Sequence, residues 1–169
     1  RTNAPLVEVC LGLLRNGVPA NIRGRDIGKG VIALVKKFRA KDVSDLLELL
    51  GAWAKVEIDR AKTRGAKGEA RITHVTGQVE LIEALAADLD RVADLVARVE
   101  NLFSDDNAAK VVCTTVHKVK GLEADNTFLL EGTLRTSSRE ESAITYVAQS
   151  RAKKTMTFVK GFDKKKQGE

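Results

Sequence analysis

The stretch Thr114–Leu130, TTVHKVKGLEADNTFLL, sets reactive side chains between two apolar runs. A β-branched run ends near Val116, and His117, Lys118, Lys120, Gly121, Glu123 and Asp125 follow before the chain turns apolar again. If the first run is a strand of an open α/β sheet, the polar segment lies at its carboxyl end, where ligands gather in such sheets. Gly121 lets the backbone turn sharply or approach a ligand closely. Thr115, His117 and Lys118 have the chemistry to reach phosphate oxygens, and Glu123 to accept hydrogen bonds from a ribose. The same residues also make an ordinary solvated βα turn, and spacing alone leaves both readings open.

A second constellation is REESAITYVAQSRAKK, residues 139–154, in which Ile144, Tyr146, Val147 and Arg151 fall near the end of a helix just before a strand. An arginine held there can stabilise charge on a transferring phosphoryl group. A surface arginine favoured by the negative helix end is the simpler account, and on this constellation alone it is the one preferred. Other motifs fail on spacing. GRDIGKG at 24–30 has three residues between Gly24 and Gly28, and Gly30 follows Lys29, where a phosphate loop needs four residues and then Ser or Thr. It reads as a helix entry, and no other phosphate loop is present, so this chain by itself is not expected to hold ATP with Mg²⁺. His74, in ARITHVT, has no Ser/His/Asp context and reads as a surface or core histidine.

These residues need elements to position them. Asn3 can cap a helix with Pro5 in its first turn and Leu6, Val9, Cys10, Leu13 and Leu14 at helical spacing, ended by Asn16-Gly17. VPANIRG reads as a short strand, and RDIGKGVIALVKKF as a loop leading into a second helix. Asp42 and Asp45 bracket the start of a long amphipathic helix with Leu46, Leu49, Leu50, Trp53 and Val56 on one face. It runs to a basic, glycine-containing loop, Lys62–Lys67, either solvated or a contact for duplex DNA or a partner. Two helices follow, one carrying Val79, Ile82 and Leu85, the other starting near Asp90 and carrying Val92, Leu95, Val96, Val99 and Phe103; SDDN closes them. KVVCTTV and NTFLLEG read as buried strands of a parallel sheet. A helix with capping-box spacing at Ser137/Glu140 or Ser138/Glu141 comes next, and TMTFVKG is a last strand. The fold class is therefore α/β, with an all-helical insertion in the middle.

Length and composition agree. The 169 residues suffice for one domain with an insertion and a core that needs no staples. A net charge of +6 fits a polyanionic partner, while an aromatic content of 4% argues against a base-stacking platform. Cys10 and Cys113 sit far apart in apolar runs without metal-ligand spacing. They are expected as reduced, buried thiols with no metal site, in a cytoplasmic protein. No membrane span or signal peptide is expected. The opening RTNAPLVEVC reads as an entry into mid-domain, as in a fragment of a longer protein.

Three stretches in order resemble the UvrD/Rep-like family of superfamily 1 DNA helicases. RTNAP at 1–5 is similar to the Arg-Thr-Asn motif that opens the family's second motor domain. TTVHKVKGLEADNTFLL is similar to helicase motif V, and EESAITYVAQSRAKK to motif VI. The resemblance covers roughly residues 1–38 and 110–161. It implies a RecA-like parallel sheet flanked by helices: a 2A domain over 1–38 and 109–169, with 39–108 as a reduced, helical 2B-like insertion. Ser150 stands for the usual threonine, Gln149 for a common apolar residue and Ala124 for a frequent aromatic, which puts local packing in doubt but keeps the polar groups.

By that resemblance Arg151 is the catalytic arginine finger of motif VI, Glu123 contacts the nucleotide sugar and Gly121 keeps the turn that presents it. Thr115 and His117 face single-stranded DNA, with Arg1 and Asn3 near the same path, and Lys120 matches the motif lysine. ATP would be shared with an upstream RecA-like domain of the same polypeptide that also holds Mg²⁺, and the partners would be single-stranded DNA and duplex junctions. The family suggests 3′-to-5′ movement. Rival readings are an ATPase-dead DNA-binding subunit of a helicase–nuclease complex and a stand-alone basic nucleic-acid-binding module.

Overall fold

The protein is described here by a computed structural model, which covers residues 3–103, 111–119, 121–131 and 139–160. The chain is mixed α/β. Contacts group it into two units, Leu6–Cys113 and Arg1–Pro5 with Thr114–Glu169.

In the first unit, helix α1 (Ala4–Arg15) buries Val7 and Cys10. It ends at Gly17, whose φ of +73° suits a residue without Cβ. Asn3 does not cap it as expected, because its Oδ1 is buried without a hydrogen-bond partner. Strand β1 (Ala20–Ile22) is buried at all three positions and pairs in parallel with β2 (Val111–Cys113), Ala20 opposite Val111 and Ile22 opposite Cys113. Helix α2 (Arg25–Phe38) takes in the whole of RDIGKG, so the expected loop is instead the first turns of a helix. Gly28 explains why: a Cβ there would lie 2.7 Å from Phe103 Cβ, so glycine lets the helix pack against that ring.

Asp42 caps α3 (Val43–Lys62) by accepting from Asp45 N at 2.8 Å, so the two acids bracket the helix start as expected, and Asp45 in turn accepts from Lys41 N at 2.9 Å, one residue before the cap. The buried face is Val43, Leu46, Leu50, Ala54 and Ala61; Leu49 and Val56 are exposed, not part of the core stripe as expected. The basic loop shrinks to the turn Thr63–Gly65, because α3 runs to Lys62 and the 21-residue α4 (Ala66–Ala86), which includes ARITHVT, begins at Ala66. His74 is exposed on it. Arg98, on α5 (Val92–Leu102), donates to the carbonyls of Leu85 at 2.9 Å and Ala87 at 2.6 Å, satisfying the end of α4.

 One core joins these elements: Ile22, Val35, Leu46, Leu50, Ile82, Leu85, Leu95 and Val99 all belong to a single buried cluster. The helices after Phe38 thus share their core with α1, α2, β1 and β2. Cys10 and Cys113 are free and buried, as expected. A hydrogen bond between the two thiols holds Cys113 below its usual pKa and, with burial, pushes Cys10 up.

The second unit is a strand–helix–strand: β3 (Ala124–Leu130), α6 (Arg139–Gln149) and β4 (Ala152–Val159), with β3 and β4 parallel. Parallel pairing was expected, but burial of β3 was not met. Phe128 is 67% exposed and Phe158 47% exposed, on opposite faces of the pair. Among the described residues of this unit, two strands and one short helix cannot cover both faces of a sheet. The capping boxes at Ser137 and Ser138, and the SDDN segment, lie outside the described residues.

Candidate functional site

The loop from Thr114 to Glu123 is built from two successive turns. The Thr115 carbonyl accepts from Lys118 N at 3.0 Å and Val119 N at 3.2 Å, which curls the chain directly after the Thr114–Thr115 pair. Leu122 N then donates to the Val119 carbonyl at 2.9 Å, with Gly121 at φ +84° in the third position of that turn. Type II turns demand a positive φ there, so the glycine has a backbone reason for its place. Thr115 is half-buried and His117 exposed on the first turn, while Gly121 and Glu123 are exposed at the second. Arg1 and Lys120 lie outside the described residues. Asn3 groups with this unit, its Oδ1 buried.

Arg151 sits where α6 gives way to β4, and its guanidinium is tied down on three sides. Nε donates to the Val147 carbonyl at 3.1 Å, Nη2 to Ser150 Oγ at 2.9 Å and Nη1 to the Leu122 carbonyl at 3.4 Å. Ala124 N donates to the Arg151 carbonyl at 3.1 Å, so backbone and side chain both stitch the arginine to the loop. The structure therefore brings Arg151, Gly121 and Glu123 into one local neighbourhood. The serine at 150 keeps the hydroxyl that its threonine counterpart would offer.

Sequence reasoning missed the two lysines opposite the loop's exit. The β3–β4 register shifts between Ala124 and Asn126, so that Asp125 alone faces Lys153 and Lys154. This bulge lets Lys154 Nζ reach Asp125 at 2.7 Å while Lys153 Nζ lies 3.8 Å from Glu123. Both pairs are about half exposed and contribute little to stability. Their consequence is local: Glu123 has a cationic neighbour on the adjoining strand. The complementary charges of EAD and KK were visible in the sequence, but the register that joins them was not.

Residues 110–159 match the UvrD-like helicase C-terminal domain family. The matched stretch contains both loops just described, supports a UvrD/Rep-like helicase C-terminal fragment and points to a helicase motor-domain role with nucleic-acid interaction. Comparison with curated proteins and with solved structures gave no match. No helix among the described residues is long and apolar enough to cross a membrane.

Proposed function

We propose that the chain is the second, RecA-like motor domain of an ATP-dependent DNA helicase or translocase, with residues 39–108 as its helical insertion. The observation that carries this reading is the Arg151 guanidinium bonded to the Leu122 carbonyl, beside Glu123, within the family-matched stretch. The donor set fits half a nucleotide site: a forked cation for a terminal phosphate and an exposed carboxylate for a sugar hydroxyl. It offers no phosphate cradle, which an upstream domain would supply together with Mg²⁺. ATP supplies the phosphoryl group; in this reading Arg151 donates to its developing negative charge, and Glu123 orients the sugar. Thr115 and His117, one turn away, would contact single-stranded DNA, with Arg1 and Asn3 near the same path.

In the full-length protein, Arg151→Ala is expected to cut DNA-stimulated ATPase about 10²-fold or more, the scale of an arginine finger. Arg151→Lys, which keeps the charge but loses the fork, should recover only part of it. ATPase within about twofold of wild type for Arg151→Ala would remove Arg151 from this role, since lost fingers cost far more. Glu123→Ala should raise KM for ATP, and an unchanged KM would strip Glu123 of its sugar contact.

A further inference from the structure

One helix and its flanks carry a dense surplus of positive charge. Seven of its 29 lysines and arginines, but only Asp26 among its 23 acids, fall between Arg23 and Lys41. That is a surplus of six, matched by one other segment, 151–166, which sets seven lysines and arginines against Asp163. All seven cations between Arg23 and Lys41 are exposed. Helix α2 cannot roll to hide them, because Gly28, Val31 and Val35 are buried and Gly28 abuts Phe103.

At 3.6 residues per turn, Arg25, Lys29 and Lys36 fall within about 40° of one another and span about 16 Å along the axis. Lys37 is drawn aside, 5.9 Å from the Trp53 ring centroid. The small, exposed Ala33 borders the stripe on one side and keeps its relief low there. Phe38 packs edge-on against Trp53, so no exposed aromatic on α2 could stack a base or anchor a protein partner. A straight, low, cationic ridge without apolar anchors suits a regular line of phosphates. A duplex offers one negative charge per roughly 1.7 Å of axis, about twice the density of a single strand.

We propose that the exposed face of α2 is a sequence-independent docking surface for the phosphate backbone of a nucleic-acid duplex. It needs no nucleotide and none of residues 110–159, so it stands apart from the motor reading and survives that reading's failure.

The test is fluorescence anisotropy of the whole chain on labelled DNA and RNA duplexes of about 20 base pairs, over roughly 50 to 200 mM salt. Replacing Arg25, Lys29 and Lys36 together by Ala should lower the slope of log K against log salt by about 2.7 and weaken low-salt binding about tenfold or more. The DNA and RNA arms identify which duplex is preferred. The triple Lys55→Ala, Arg64→Ala, Arg91→Ala makes the same charge change on other exposed positions and should leave the slope unaltered. Alanine favours helix at exposed sites, and the far-UV signal checks the fold; the corresponding Gln triple repeats the test if the Ala triple is impaired. Equal losses from the two Ala triples, an unchanged slope in the α2 variants, or competition by polyglutamate as strong as by duplex at equal charge each overturns the proposal.

Discussion

Gly68 poses a contest between two effects of opposite sign. It lies in the first turn of α4, where alanine normally stabilises a helix by up to about 1 kcal/mol relative to glycine. A Cβ at this position, however, would sit 1.9 Å from the carbonyl oxygen and 2.7 Å from the carbonyl carbon of Ala61 on α3. These are backbone atoms, so relief requires moving one helix against the other. Overpacking of this kind costs about 1–3 kcal/mol, which exceeds the propensity gain. Gly68→Ala should therefore destabilise the chain by roughly 1–2 kcal/mol net. Gly77, in the same helix, has nothing within 4 Å of its would-be Cβ, so Gly77→Ala should stabilise by up to about 1 kcal/mol. Urea titration followed by far-UV circular dichroism and by emission of the single Trp53 reads both changes against wild type. If Gly68→Ala proves as stable as Gly77→Ala, the α3–α4 contact at Ala61 is not as close as described, and the reasoning fails.

Two further outcomes test the same unit. Leu50 is buried and Leu49 exposed, so Leu50→Ala should cost about 2–5 kcal/mol and Leu49→Ala under about 1 kcal/mol in the same urea titration. The Arg71 guanidinium beside Glu57 holds its carboxyl below the usual value of 4.5, so the pair's stabilisation is present above that pH and fades as pH falls through the depressed pKa. Glu57→Gln should lower stability at neutral pH and flatten this acid limb; an unaltered limb in stability-versus-pH measurements would dismiss the pair's contribution.

Local signals with a mechanism survived into the structure. The Asp42/Asp45 cap and the Asn16-Gly17 stop each follow from residues within a few positions of one another, and the short β-branched apolar runs became strands that pair in parallel over long separations. Where the sequence misled, a distant residue decided. Gly24, Gly28 and Gly30 looked like a loop until Phe103, far along the chain, packed on Gly28. The basic stretch Lys62–Lys67 looked like a loop because of its glycines and charges, yet α4 already begins at Ala66 and packs Gly68 against Ala61 of α3. At the site, the type and spacing of Gly121, Glu123 and Arg151 were legible. The Leu122 carbonyl was not, since backbone acceptors leave no trace in residue identity.

That carbonyl bears on how the proposed arginine would work. Arg151 is held by its bonds to Val147, Ser150 and Leu122, and the bond to Leu122 is the longest at 3.4 Å. The other two partners lie on the same turn of chain as Arg151 itself, so they can travel with it. Leu122 lies on the loop that carries Gly121 and Glu123, and a long hydrogen bond is the weakest to give up. An Arg151 that turned toward a phosphate would let go of Leu122 first, freeing the carbonyl immediately before Glu123. The arginine's engagement would then be felt in the loop that begins at Thr115 and His117. In this reading the connection between phosphate and strand runs through one backbone acceptor, and replacing Arg151 should loosen the loop even without nucleotide. Amide exchange at Leu122 and Ala124, whose N–H groups are bonded to Val119 and Arg151, reads this directly: faster exchange in Arg151→Ala is the expected result, and unchanged exchange would sever the link.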